Sequence, residues 1–429
     1  MWQDAGLRQA GTGHMSLTLL FLQLTVILVT ARTCGLVLRA FGQPMVIGEM
    51  AAGILLGPVV FGALFPQWHQ QLFPPASLPG LSSLATVGVV LFMFIVGAEL
   101  RAPSGMGAQF RAAGWVGVSS MVLPMVLGLA IAPVLHPALA PQGVEFWPFA
   151  LFLGVALSIT AFPVLARILR DRNMTRTRVG QLSLGAAGVV DALAWILLAL
   201  VVALASAGAG LQAFMRIAIG LVVLVTVVFL AVKPMLAWLL RTHAPDGVPS
   251  PMMLAALLIG MFVCAMLTEW LHLHAVFGAF LFGVALPRDD RLLHALAERI
   301  EPLSIVVLMP IFFALAGLGT SAGAFANSGL GMLALILLAA SVGKIVGGAA
   351  GARMCGYGWR ESLATGSLMN SRGLMELIVI KVGLDAGLIG AELFTMLLVM
   401  ALVTTAATGP LLSLIARKSP KPIDRPTSA

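Results

Sequence analysis

The sequence has very little charge. Of its 429 residues only 10% are Asp, Glu, Lys or Arg, while 60% are hydrophobic and the mean hydropathy is +1.03. Soluble chains carry about 25% charged residues, so an ordinary soluble domain is excluded. Short alternating segments are also missing. The apolar runs are continuous, which excludes a membrane β-barrel. Cysteine is scarce: Cys34, Cys264 and Cys355 are odd in number, widely separated and set in or beside apolar runs. That pattern fits small core residues and gives no disulfide framework or zinc site. The sequence has no Gly-rich phosphate loop, metal-ligand cluster or nucleophile triad, so it implies no cofactor and no enzyme. The net charge of +8 does not point to nucleic acid, because the basic residues sit mostly in short loops between apolar runs.

What is present is an all-α polytopic membrane chain. A span needs roughly 20 apolar residues. About 13 candidates follow one another, near 16–38, 44–65, 80–100, 112–136, 147–169, 179–207, 212–240, 251–271, 275–287, 301–319, 328–351, 360–384 and 389–416. The first run is too long for a signal peptide. Alternate loops carry Arg and Lys: Arg101 and Arg111 after span three, five arginines from Arg167 to Arg178 after span five, Arg353 and Arg360 after span eleven. The loops between them, such as 66–79, 137–146, 208–211 and 320–327, carry none, and Arg216 and Lys381 are the exceptions. The bias predicts an inner (plasma) membrane protein with its N-terminus outside and a short basic tail, 417–429, in the cytoplasm.

Two spans contain helix-breaking chemistry. Span five includes Ser158, Thr160 and Pro163; the proline has no N–H to donate and clashes with the carbonyl four residues earlier. Span twelve places Asn370, Ser371, Arg372 and Gly373 consecutively in an apolar stretch. Irregular backbone at membrane depth is tolerated only where protein or a water-filled cavity covers it. Spans five and twelve are seven apart, so they cross in opposite directions. Two discontinuous helices in inverted orientation point to an inverted-repeat transporter with its site where the half-helices meet.

The intramembrane charges are few. Asp191 lies in the middle of span six, where an isolated charge costs about 2.5–3.5 kcal/mol on insertion scales. Lys344 lies well inside span eleven. Arg372 and Glu376 stand four apart on one side of a helix, placed either for a salt bridge or for ligation. Glu49 and Glu99 are further acids, the first a candidate partner for an arginine and the second near an interface. His272 and His274 flank a span end. One carboxylate withdrawn from water holds either a proton or a monovalent cation, and that competition is itself an exchange mechanism. Asp191, with the hydroxyls of Thr160 and Ser158, is therefore the predicted site for both. The alternatives are a salt-bridged structural Asp191, a same-fold transporter of an organic ion, or a transport-dead sensor.

Several stretches carry a family resemblance: PMVIGEMAAGILLGP at 44–58, LFMFIVGAEL at 91–100, TAFPVLAR at 160–167, DALAW at 191–195, Gly343 with Lys344, and NSRGLMEL at 370–377. In this order and over nearly the whole chain they resemble bacterial monovalent cation:proton antiporters of the second monovalent antiporter family, which includes Kef-type and Nap-type exchangers. The resemblance implies a thirteen-helix homodimer in the lipid bilayer, exchanging Na+ or K+ for protons by an elevator-like movement. It assigns 16–101 and 250–320 to a dimerisation domain, 111–207 and 328–416 to a transport core, and 212–240 to a linker helix. Kef-type relatives often carry a C-terminal nucleotide-binding domain, and none is expected in this chain. One position departs from the family. The residue before Asp191 is usually a second polar group, and here it is Val190. The lysine that pairs with an acid there, Lys344, then has no such partner. It should lose its charge or pair with Asp191 directly, in competition with the cation. A single carboxylate further favours electroneutral exchange.

Overall fold

The computed structural model describes residues 17–99, 107–175, 177–205, 211–243, 247–271, 274–287, 289–326 and 328–417. Residues 1–16, Arg101, Arg176, His272, Arg288 and the basic tail from Lys418 onward lie outside the described residues. The regular structure among the described residues is helical throughout. The helices are α1 (Leu17–Ala40), α2 (Met45–Leu56), α3 (Phe61–Leu64), α4 (Pro66–Leu72), α5 (Leu78–Glu99), α6 (Gly107–Leu139), α7 (Phe146–Ser158), α8 (Phe162–Asp171), α9 (Arg178–Ala205) and α10 (Leu211–Val227). They continue with α11 (Lys233–His243), α12 (Pro251–Trp270), α13 (Ala275–Val284), α14 (Asp290–Leu303), α15 (Met309–Leu318), α16 (Gly329–Met354), α17 (Trp359–Met369), α18 (Leu374–Asp385) and α19 (Ala391–Arg417). Among the described residues, nine helical segments are long and apolar enough to cross a membrane, and α7 and α13 are shorter apolar helices. Helices dominate because hydrocarbon offers no partner to a free N–H or C=O, and a helix satisfies these groups within one segment.

Close approach of backbones sets the packing. Gly343, Gly347 and Gly351 form a stripe along α16 that lies on α6. A Cβ on Gly347 would come 2.5 Å from the carbonyl oxygen of Ser119, and one on Gly343 2.7 Å from Cα of Pro124. The same device joins α2 to α15, where a Cβ on Gly317 would sit 1.8 Å from the carbonyl oxygen of Gly53. Membrane helices associate through such van der Waals contact, since lipid offers no hydrophobic gain between apolar surfaces. Most helix contacts fall within two groups. One holds α1, α2, α5 and α12–α15; the other holds α6–α9 and α16–α19. α10 attaches to α9, and α19 touches α2 across the groups.

Both predicted breaks are present. The first is residues 159–161, between α7 and α8, and the second is residues 370–373, between α17 and α18. Pro163 stands in the first turn of α8, so it starts the second half-helix just after the break and does not kink a continuous helix. Its missing N–H costs nothing there, and Ile159 is already extended with ψ 143°, which removes the clash the sequence implied.

Candidate functional site

The two breaks cross and bond to each other. The N–H of Ala161 donates to the carbonyl of Ser371 at 3.1 Å. The Thr160 hydroxyl donates to the carbonyl of Met369 at 2.9 Å. Each break therefore satisfies part of the other's irregular backbone, as membrane burial requires. Thr405 on α19 anchors the second break from behind. Its hydroxyl accepts from the Arg372 N–H at 2.8 Å and donates to the Arg372 carbonyl at 2.7 Å.

A helix end leaves its last four carbonyls without intrahelical partners and carries about half a negative charge. At the end of α7 two basic side chains fill that role. The Lys344 ammonium donates to the carbonyl of Ser158 and, at 2.6 Å, to the Thr160 hydroxyl. The Arg372 guanidinium donates to the carbonyls of Ala156 at 3.0 Å and Leu157 at 2.6 Å. Three successive carbonyls are thus capped by basic side chains, all fully buried. Arg372 also holds Glu376 in a buried ion pair at 2.8 Å, one of the two roles open from the sequence. Of the two outcomes expected for Lys344, a direct pair with Asp191 is absent: its Nζ bonds the α7 terminus, where carbonyls and a hydroxyl take the place of the missing acid. Val190 packs instead into an apolar cluster with Val116, Ala186, Ala352 and Met369.

Asp191 is fully buried on α9, and neither carboxylate oxygen is bonded to another side chain. The Phe162 N–H at the start of α8 and the Lys344 ammonium lie within electrostatic reach of it. The hydroxyl of Ser158 is engaged elsewhere, turned to the carbonyls of Met121 at 2.9 Å and Gly154 at 2.6 Å. Both amide atoms of Asn370 and the hydroxyls of Ser371 and Ser183 are buried without partners.

A cavity of about 290 Å³ opens between the two helix groups. Val164, Arg167 and Arg170 of α8 form one wall, and Glu49, Glu99 and Glu301 face them. Glu49 is paired with Arg32 at 3.2 Å, as its sequence setting suggested. The cavity reaches Val164, two residues past Phe162, and its lining does not include Asp191. A second cavity of about 60 Å³ lies against α18, lined by His274, Lys381 and Asp385. Lys381 and Asp385 form an ion pair, which accounts for a lysine at an otherwise uncharged end. Sequence reasoning missed Ser371 as a separate polar group, although it stands inside the break motif. It also missed Thr405, for which the sequence offered no signal.

Residues 26–418 match the family described as "Sodium/hydrogen exchanger, transmembrane". The chain is 38% identical over 398 residues to the Na(+)/H(+) antiporter NhaS4 of Synechocystis sp., covering 92% of this chain and 97% of that protein. It is 36% identical to K(+)/H(+) antiporter 1 of Saccharomyces cerevisiae, covering 93% of this chain and 46% of that protein. The chain spans about half the length of that yeast relative and of its Arabidopsis thaliana relatives. In fold it is similar to the sodium proton antiporter MjNhaP1 of Methanocaldococcus jannaschii, with a TM-score of 0.55 at 15% identity, covering 94% of this chain and 96% of that one.

Proposed function

The chain belongs to the sodium/hydrogen exchanger family and exchanges cations for protons, and we propose that Asp191 is the single group that carries both. One observation supports this above the rest. Asp191 is a fully buried carboxylate that no other side chain pairs with, met by the Phe162 backbone N–H at the start of a half-helix where the two breaks cross. A structural carboxylate at that depth would be paired. A carboxylate that must release one ligand before taking the other is left open. Each ligand neutralises it, so the loaded site crosses the membrane at lower cost than the bare charge.

The two helix groups are the natural moving parts. The group holding α6–α9 and α16–α19 carries both breaks and Asp191, and it serves as the transport core. The group holding α1, α2, α5 and α12–α15 serves as the dimerisation domain of a homodimer, with α10 and α11 linking them. The larger cavity lies on the arginine-rich side of α8, which the positive-inside rule assigns to the cytoplasm. Glu49, Glu99 and Glu301 then line the route from that side. Val190 in its apolar cluster leaves one exchanging acid, so the expected stoichiometry is one cation for one proton, without net charge movement.

The test is exchange in proteoliposomes, read as collapse of a pH gradient on adding Na+, K+ or Li+. Wild type should respond to at least one of them, and Asp191→Asn should respond to none. An Asp191→Asn variant that still exchanges rules Asp191 out. Wild-type exchange that generates a membrane potential rules out the one-for-one stoichiometry.

A further inference from the structure

We propose that an arginine-lined pocket between α1, α2, α8 and α19 binds a phosphate group, that of an anionic lipid headgroup in the leaflet on the arginine-rich side. The pocket is a cavity of about 530 Å³. One wall is the end of α1 and the turn into α2, with Arg39, Gln43 and Met45. The other is α8 with the residue after it and α19, with Arg167, Arg172, Thr405 and Gly409. The walls belong to the two different helix groups. One neutral bond crosses between them, from the Gln43 side-chain N–H to the carbonyl of Ala406 at 3.3 Å.

Three arginines converge on this recess, and its lining contains no Asp or Glu. The other two cavities differ: one sets arginines against Glu49, Glu99 and Glu301, and the other holds Lys381 paired with Asp385. Among the described residues no carboxylate pairs with Arg39, Arg167 or Arg172. Glu49, which shares the first cavity with Arg167, is held by Arg32. A guanidinium carries five N–H donors. Arg172 gives one to the Ser413 hydroxyl at 3.1 Å, and Arg39 and Arg167 give none to any described residue. Gly409 leaves room for the Arg172 guanidinium, since a Cβ there would stand 3.0 Å from its Nη2.

Like charges gathered in one recess repel unless an anion enters between them. Arginine forks match the oxygens of a phosphate in paired, parallel bonds, so phosphate is the anion the donors fit. Position names the source. Arg39 lies in the last turn of α1 and Arg172 directly follows α8, which puts the pocket where spans meet headgroups. Basic pockets between spans at that level take anionic headgroups. Phe41, next to Gly42 of the lining, is 76% exposed and offers apolar surface to an acyl chain. An occupant bonded to both walls holds the two helix groups in this arrangement. It also borders Thr405, the residue bonded twice to Arg372 of the second break. The holding effect rests on the proposal that the two groups move; the binding does not.

The test is thermal unfolding of purified protein in detergent with phosphatidate, phosphatidylglycerol, phosphatidylcholine or inorganic phosphate added. It compares wild type, Arg39→Gln, Arg172→Gln and Arg241→Gln, the last a basic residue at the end of α11 outside the pocket. Phosphatidate and phosphatidylglycerol should raise the wild-type Tm, and phosphatidylcholine should not. Each pocket variant should need about fivefold more lipid for half the effect, while Arg241→Gln should match wild type. Arg39 bonds no described residue, so Arg39→Gln keeps the test open where loss of the Ser413 bond unfolds Arg172→Gln. A wild-type Tm that neither anionic lipid nor phosphate moves, or the same lipid dependence in Arg39→Gln as in Arg241→Gln, overturns the site. Inorganic phosphate raising Tm as far as the lipids do keeps the phosphate site and overturns the headgroup as its source. The initial rate of exchange in vesicles then reads the holding effect: phosphatidate should slow wild type more than Arg39→Gln. Equal slowing with lipid binding intact strikes at the movement of the two groups and not at the pocket, so the two failures are distinct.

Discussion

Replacing Thr160 by valine removes one hydroxyl and keeps the shape of the side chain. That hydroxyl makes two bonds at the crossing, donating to Met369 at 2.9 Å and accepting from Lys344 at 2.6 Å. A neutral hydrogen bond contributes about 0.5–1.5 kcal/mol and one to a charged group about 1.5–3 kcal/mol, so the loss sums to about 2–4 kcal/mol. One kcal/mol shifts Tm by roughly 2–4 °C for 150–250 residues, and by about half that for a chain of 429. The expected fall is then roughly 2–8 °C, read by thermal unfolding of purified protein in detergent. Lys344→Met completes a cycle. Because Lys344 and Thr160 share a bond, the double variant should lose less than the sum of the singles, by about 1.5–3 kcal/mol. The cation KM of Thr160→Val should stay within about twofold of wild type, because the hydroxyl gives its proton to Met369 and accepts the bond from Lys344. A Thr160→Val variant of wild-type stability with a greatly raised cation KM would refute the reasoning and return Thr160 to the ligand shell. Additive losses in the cycle would refute the bond between Lys344 and Thr160.

Two further outcomes can be checked directly. Gly347→Leu should abolish the folded fraction in size-exclusion profiles, since even a Cβ there meets the Ser119 carbonyl at 2.5 Å; Gly331→Ala on the same helix has nothing within 4 Å and should gain about 0.5–1 kcal/mol from helix propensity. With Cys34 and Cys264 changed to Ala, a membrane-impermeant maleimide should label Cys355 from the side of Arg353 and Arg360, slowly at neutral pH and faster as pH rises. Burial pushes that thiol up, so its thiolate fraction grows only at higher pH; labelling from the opposite side would reverse the assigned orientation.

Much of the site was legible because membranes make polar residues conspicuous. Asp191, Lys344 and the run from Asn370 to Gly373 stand out in apolar surroundings, and each is costly enough there to need a physical reason. The two breaks were found from residue types alone. The position of the first was not, because Pro163 is equally at home kinking a helix or starting one, and the conformation of Ile159 decides which. Thr405 could not be singled out, since one threonine in an apolar helix looks like any other until its hydroxyl is seen bonded twice to Arg372.

The sequence by itself determined the solvent, the helical class and the two breaks, and it singled out Asp191 as the candidate exchanging carboxylate. These follow from local chemistry: hydropathy, missing N–H groups and the cost of a charge in hydrocarbon. Which groups bond to which was decided only by the tertiary structure. Lys344 caps α7 because the end of that helix lies beside it in space, 186 residues away in the chain. Thr160 and Ser158 stood out by type alone, and the fold turns both hydroxyl protons to carbonyls while leaving the Asn370 amide and the Ser371 hydroxyl without partners. A side chain's capacity to bond is written in its atoms. Whether that capacity is already spent depends on neighbours that only the folded chain brings together.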